Sequence, residues 1–207
     1  MLNLRDNIKQ KTSSLLGIFV IKLLLPAGVT ANQITITGFF VTCIGAVFIL
    51  QGSLFTAGCI ILLGSSLDML DGIMARTTGS ASAQGALLDS FFDRISEAVI
   101  FLCIASYYLI PNENLSTFVK AELITVFIAL TASLMVSYLR AKGESLGIHS
   151  SVGWITRPER MVLVVIGLMT SPWISHALFL SIFVIATGSV IVSGQRFRVI
   201  WQGTHAP

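Results

Sequence analysis

The chain has 207 residues, of which 54% are apolar and only 11% charged, and its mean hydropathy is +0.85. This excludes an ordinary soluble domain and a disordered chain, and predicts a polytopic all-α membrane protein whose length allows one bundle of several spans. A net charge of +3 is too small to suggest a nucleic-acid partner.

Leu4 to Leu25 carries Arg5, Asp6, Lys9 and Lys11 among Leu4, Ile8, Leu15 and Leu16, and Lys22 interrupts its apolar part. That part falls short of the ~20 residues a span needs, so the segment reads as an amphipathic helix lying in the membrane interface, ended at Pro26-Ala27-Gly28. Its polar start and the lack of a small-residue cleavage site argue against a removable secretory signal. Spans follow over Gln33–Leu50, Leu54–Arg76, Gly85–Ile110 and Thr117–Leu139, with a polar linker at Thr77–Gln84 and a turn at Pro111-Asn112-Glu113-Asn114. A basic, glycine-containing loop, Arg140 to Arg160, leads to an apolar stretch from Met161 to Val192. As one helix this stretch would be about 48 Å long against a ~30 Å hydrocarbon core, so it should break at Ser171-Pro172 into a fifth and a sixth span. The expected fold is a single membrane domain, residues 1–207: an interfacial helix over 1–28 and a six-helix transmembrane bundle over 29–207. Cys43, Cys59 and Cys103 lie in apolar runs without CxxC spacing and read as packing residues.

With the N-terminus on the cytoplasmic side, twelve of the thirteen Lys and Arg residues fall in cytoplasmic regions, and Lys120 is the exception. The positive-inside rule thus predicts a cytoplasmic membrane protein with its second-to-third linker facing the cytoplasm.

Four of the five aspartates flank that linker: Asp68, Asp71, Asp89 and Asp93. Each charge placed at a helix centre in a bilayer costs roughly 2.5–3.5 kcal/mol, so four together call for a compensating ligand. Asp68, Asp71, Gly72, Ala75 and Arg76 make one helical stripe, and Gly85, Asp89 and Asp93, stepping by four, make a second. A short linker sets the two helices antiparallel, so the stripes can converge. Such a cluster, with no His or Cys, suits one or two oxygen-ligated Mg²⁺ or Mn²⁺ ions. Glycines open one wall to the backbone, and Arg76 can hold a phosphate. Together these features describe a diphosphate site. Taken piecemeal, the aspartates also fit a transporter's ion-coupling site, and the glycines fit helix packing.

The full string is Asp-x2-Asp-Gly-x2-Ala-Arg-x8-Gly-x3-Asp-x3-Asp, from Asp68 to Asp93. It resembles the signature of the CDP-alcohol phosphatidyltransferases. The resemblance extends to Thr30-Ala31-Asn32-Gln33-Ile34-Thr35, with Ala31 where proline is usual, a departure expected to soften the turn. It implies transfer of a phosphatidyl (or archaetidyl) group from a CDP-linked lipid to an acceptor hydroxyl, with release of CMP. Asp68, Asp71, Asp89 and Asp93 would then hold two Mg²⁺ or Mn²⁺ ions, and Asp93 would also act as general base. Asn32, Thr35, Gly72, Ala75, Arg76 and Gly85 would bind the CDP-lipid, and a homodimer is expected. Glu97, one turn further, is expected to support the ligands from behind or to be purely structural, rather than catalytic.

A phosphorylated acceptor needs cations, and Arg140, Lys142, Arg157 and Arg196 are the candidates. Ser137-Tyr138-Leu139-Arg140-Ala141-Lys142-Gly143-Glu144 and Arg157-Pro158-Glu159-Arg160 resemble the phosphatidylinositol-phosphate synthase branch of the family, which implies inositol 1-phosphate. Glycerol 3-phosphate is the alternative acceptor. Intramembrane prenyltransferases also set aspartates and Mg²⁺ against a diphosphate, but with two distant motifs in longer chains. A transporter would place its carboxylates near the middle of the membrane rather than at a helix end.

Overall fold

A computed structural model describes residues 28–110, 116–149 and 152–204. The expected interfacial helix and the turn at Pro111 lie outside these residues. Six helices, and no strand, occur among the described residues: α1 Ala31–Leu50, α2 Leu54–Thr78, α3 Ala83–Leu109, α4 Thr117–Ser145, α5 Arg157–Thr170 and α6 Ala177–Thr204. Four of them, α1, α2, α4 and α6, are long and apolar enough to cross a membrane. The other two expected spans differ for clear reasons: α3 carries Asp89, Asp93, Arg94 and Glu97 between its start and its middle, and α5 has only 14 residues.

Several boundaries also move. The expected break after Met161 occurs, with α5 ending at Thr170 and α6 starting at Ala177. Arg140 and Lys142, expected in a loop, ride on the last turns of α4. That helix stops in a Schellman arrangement: Gly147 has φ +73°, its N–H reaches Glu144 O at 3.1 Å, and the Ile148 N–H reaches Gly143 O at 2.9 Å. Arg157 begins a helix rather than sitting in a loop, because Pro158 suits a first turn and Glu159 accepts from the Thr156 N–H at 3.0 Å.

The described residues divide into two compact units. The first comprises residues 28–43 and 60–96, drawn from α1, α2 and α3. Its core is Ile34, Leu70, Ile73 and Met74, with Val29, Ala31 and Leu67 packed around them. Here α1 and α2 approach backbone to backbone: a Cβ on Gly64 would lie 2.3 Å from Thr42 Oγ1 and 3.0 Å from Gly38 O. Small residues permit that approach where no water-driven burial helps helices associate.

The second unit comprises residues 44–59 and 97–204. In it α4 and α5 both pack on α6, around Val136, Ile155 and Val192. Gly188 on α6 faces Ile155, whose Cδ1 would lie 2.3 Å from an added Cβ. Large apolar side chains point outward, among them Phe127, Leu180 and Phe183, as expected of a surface solvated by lipid.

Candidate active site

The site lies in the first unit, where α2 ends and α3 begins. Asp68 and Asp71 are one turn apart on α2, and Asp89 stands on α3 beyond a turn at residues 79–82. One carboxylate oxygen from each lies within 4.8 Å of the others. Two unit charges at such spacing repel by roughly 3–4 kcal/mol even at an effective dielectric of 20, so the trio favours a cation among its oxygens. The donors are all hard oxygens, which fits Mg²⁺ or Mn²⁺ and not zinc. Asp93 is one turn beyond Asp89 on α3 and is not part of this gathered trio.

The most buried of the three, Asp71, is 6% exposed and accepts a hydrogen bond from Thr35 Oγ1 at 2.5 Å, with Thr35 itself 4% exposed. Thr35, expected beside the nucleotide, therefore also orients a candidate metal ligand. Its helix starts in a reciprocal cap: the Thr30 N–H donates to Gln33 Oε1 at 2.9 Å, and the Gln33 N–H donates to Thr30 Oγ1 at 3.3 Å. This cap fixes the start of α1 with Ala31 in the proline's place. Asn32 and Thr35 are held in the first turns that follow.

A cavity of about 200 Å³ opens beside the carboxylates and is lined by Asp71 and Asp89. Asn32, Thr35, Gly72, Ala75, Arg76 and Gly85, all six residues expected to bind the CDP-lipid, line the same cavity. The glycines set its walls. An added Cβ on Gly72 would come within 3.3 Å of Arg76 Nη1, so the guanidinium lies against bare α2 backbone. A Cβ on Gly85 would sit 3.3 Å from Asn32 Oδ1. Ser82, which sequence reasoning passed over, accepts the Gly85 N–H at 3.1 Å and caps α3. A small polar residue just before Ala83 was the available signal.

The candidate acceptor residues all lie in the second unit. Arg140 has a 64% exposed side chain paired to Glu144 at 3.0 Å, and Lys142, two residues on and about half a turn around the helix, is exposed. Arg157 is half-buried at the start of α5. Arg196 is buried, and it donates from Nε to Val152 O at 3.0 Å and from Nη1 to Val136 O at 2.8 Å. It lies within electrostatic reach of Arg140, Arg160 and Glu144. The structure thus brings Arg140 and Arg160 within electrostatic reach of Arg196, and gives Arg196 a structural duty that its sequence position did not announce. Glu97 and Arg160 form a buried ion pair in this unit. Glu97 extends the four-residue step of Gly85, Asp89 and Asp93, and an acid buried in an apolar helix requires a cation. That requirement was the sequence signal for the pair.

The family model for CDP-alcohol phosphatidyltransferases matches residues 28–190. The chain belongs to that family. It is a transferase, and the phosphatidyltransferase signature spans the carboxylates and cavity just described. The chain is 34% identical over 176 residues to archaetidylinositol phosphate synthase of Methanothermobacter thermautotrophicus, covering 83% of each chain. It also resembles crystal structures of the phosphatidylinositol phosphate synthase of Mycobacterium tuberculosis. With CDP-DAG bound, that enzyme superposes with a TM-score of 0.81 at 28% identity, over 95% of this chain and 98% of the other. In complex with manganese and citrate it gives 0.80 at 31% identity, over 89% of each.

Proposed function

We propose that this chain transfers the phosphatidyl, or archaetidyl, group of a CDP-linked lipid to inositol 1-phosphate and releases CMP. The observation that carries the reading is one cavity that joins the Asp71 and Asp89 carboxylates to every residue of the signature expected to meet the nucleotide. The acceptor is supported by Arg140 lying within electrostatic reach of Arg196, and by relatives named for inositol phosphate.

Asp68, Asp71 and Asp89, with Asp93, would hold two divalent ions, Mg²⁺ or Mn²⁺. When bound, these ions neutralise charge on the diphosphate and on the attacking and leaving oxygens. The protein's own part is positioning. Arg76 holds a phosphate against the bare backbone at Gly72, Asn32 and Ala75 confine the nucleotide, and Thr35 keeps Asp71 in place. Arg140, Lys142, Arg157 and Arg196 take the acceptor's phosphate. The acceptor hydroxyl attacks the lipid-bearing phosphorus, its proton passes to Asp93, a new P–O bond forms, and the phosphoanhydride bond to CMP breaks. In this reading all six helices cross the cytoplasmic membrane, the catalytic face meets the cytoplasm, and the enzyme works as a homodimer.

The test is CMP release by purified protein from CDP-diacylglycerol with Mg²⁺, across inositol 1-phosphate, glycerol 3-phosphate, inositol and serine. Inositol 1-phosphate should be turned over fastest. Equal or better use of glycerol 3-phosphate overturns the acceptor and leaves the transfer reaction standing.

A further inference from the structure

Glu97 and Arg160 form a two-pronged pair closed to solvent. Arg160 Nε donates to Glu97 Oε1 at 2.6 Å and Nη2 donates to Oε2 at 2.9 Å, with side-chain exposures of 0% and 1%. Such a pair is a poor route to stability, since apolar side chains of similar volume hold a core as well or better. Arg160 Nη1 is moreover buried without a hydrogen-bond partner among the described residues, a cost that a purely stabilising contact avoids. What the fork and carboxylate add over an apolar contact is direction. They fix distance and angle together, whereas apolar faces slide.

The element fixed in this way is the start of α5. At 14 residues α5 is about 21 Å long, so its length does not set its depth in a ~30 Å hydrocarbon layer. Contacts must set it instead. The chain leading in is tied by Arg196 to Val152 O, and by Ile155, fully buried against Val136 and Val192. These hold residues 152–155, and the far half of the helix packs on α6, where Gly167 lies against Leu178 and Ser181. Arg160, in the first turn, is gripped from α3, which gives the near end of the helix its one directional side-chain contact to another helix among the hydrogen bonds described. Arg157 lies three residues earlier on the same turn, so the point from which its side chain departs follows from the grip on Arg160.

We propose that Glu97 and Arg160 are positioning residues, whose pair fixes the first turn of α5 and thereby presents Arg157 to the acceptor's phosphate. This rests on the acceptor reading given above. The test replaces the pair by apolar groups, Glu97→Leu with Arg160→Met, and measures both Michaelis constants and the thermal midpoint in detergent. Misaiming a charged contact should raise the inositol 1-phosphate KM roughly tenfold or more, while the CDP-diacylglycerol KM moves by less than about twofold and the midpoint is kept. A folded double variant with the wild-type acceptor KM overturns the proposal, as does an equal rise in both constants. Should the double variant not fold, Arg160→Lys keeps the charge without the fork. A selective rise of about threefold or more in acceptor KM supports the proposal, and no change overturns it. The wild-type enzyme assayed alongside separates the two readings. If it ignores phosphorylated acceptors, the acceptor assignment falls and takes this proposal with it; if it uses them and the variants match it, only the positioning role falls.

Discussion

Thr35→Val tests how the carboxylate site is held. The change is nearly isosteric and replaces a hydroxyl that is 4% exposed and donates to Asp71 Oδ2 at 2.5 Å. A hydrogen bond to a charged group contributes ~1.5–3 kcal/mol net, and each 1.36 kcal/mol is about tenfold. The expected loss is therefore roughly 10- to 150-fold, which agrees with the ~10–100-fold cost of removing a group that orients a metal ligand. It should appear as a weaker apparent affinity for Mg²⁺ or Mn²⁺, because Asp71 is left buried without its orienting donor. The assay titrates each metal against CMP release at saturating CDP-diacylglycerol, and measures Mn²⁺ binding directly by electron paramagnetic resonance. Saturating metal should restore most of the rate, and Thr35→Ser should restore most of the affinity. If Thr35→Val shifts metal affinity less than about twofold, the orienting role is wrong.

Asp68→Asn and Asp89→Asn should each abolish turnover while leaving the thermal midpoint in detergent near that of the wild type, and EDTA should stop the wild-type enzyme until Mg²⁺ or Mn²⁺ is returned. Turnover in metal-free buffer would remove the basis for the site. Arg157→Ala should raise the acceptor KM about tenfold with little loss of stability, since a charge-assisted contact is worth ~1.5–3 kcal/mol. Arg196→Ala should raise the same KM and also lower the thermal midpoint, because it leaves the Val136 and Val152 carbonyls without their donor. Equal stability of the two variants would contradict Arg196's structural duty. In a cysteine-free background, Glu144→Cys should be labelled only from the cytoplasmic side and Ile174→Cys only from the opposite side. The reverse pattern would overturn the topology.

The carboxylate site was legible in the sequence because its determinants are local. Asp68, Asp71, Gly72, Ala75 and Arg76 share one helix face, Gly85 and Asp89 share another, and a short linker forces the two faces together. Helical period and chain connectivity settle that geometry before any distant contact is formed. The partner of Asp71 was less legible. Thr35 comes from α1, 36 residues away, and periodicity does not specify which α1 face meets α2. The ends of α4 and α5 were misplaced because hydropathy marks where a helix leaves the apolar layer, not where it stops. Gly147 and the Thr156–Glu159 cap decide those ends.

Charge in this apolar chain is compensated in two physically different ways, and the difference separates reactive from structural groups. Asp71 and Asp89 face a cavity, and the repulsion of the Asp68–Asp71–Asp89 trio would be relieved by the proposed cation, which can come and go. Glu97 and Arg160 are sealed and relieve each other through two hydrogen bonds of fixed direction. Sequence shows Glu97, Asp89 and Asp93 alike as acids on one helix stripe. Only the identity of the compensating group tells them apart, and for Glu97 that group lies 63 residues away. An acid on such a stripe is therefore a ligand where it opens on a cavity beside like charges, and a fastener where a buried arginine reaches it.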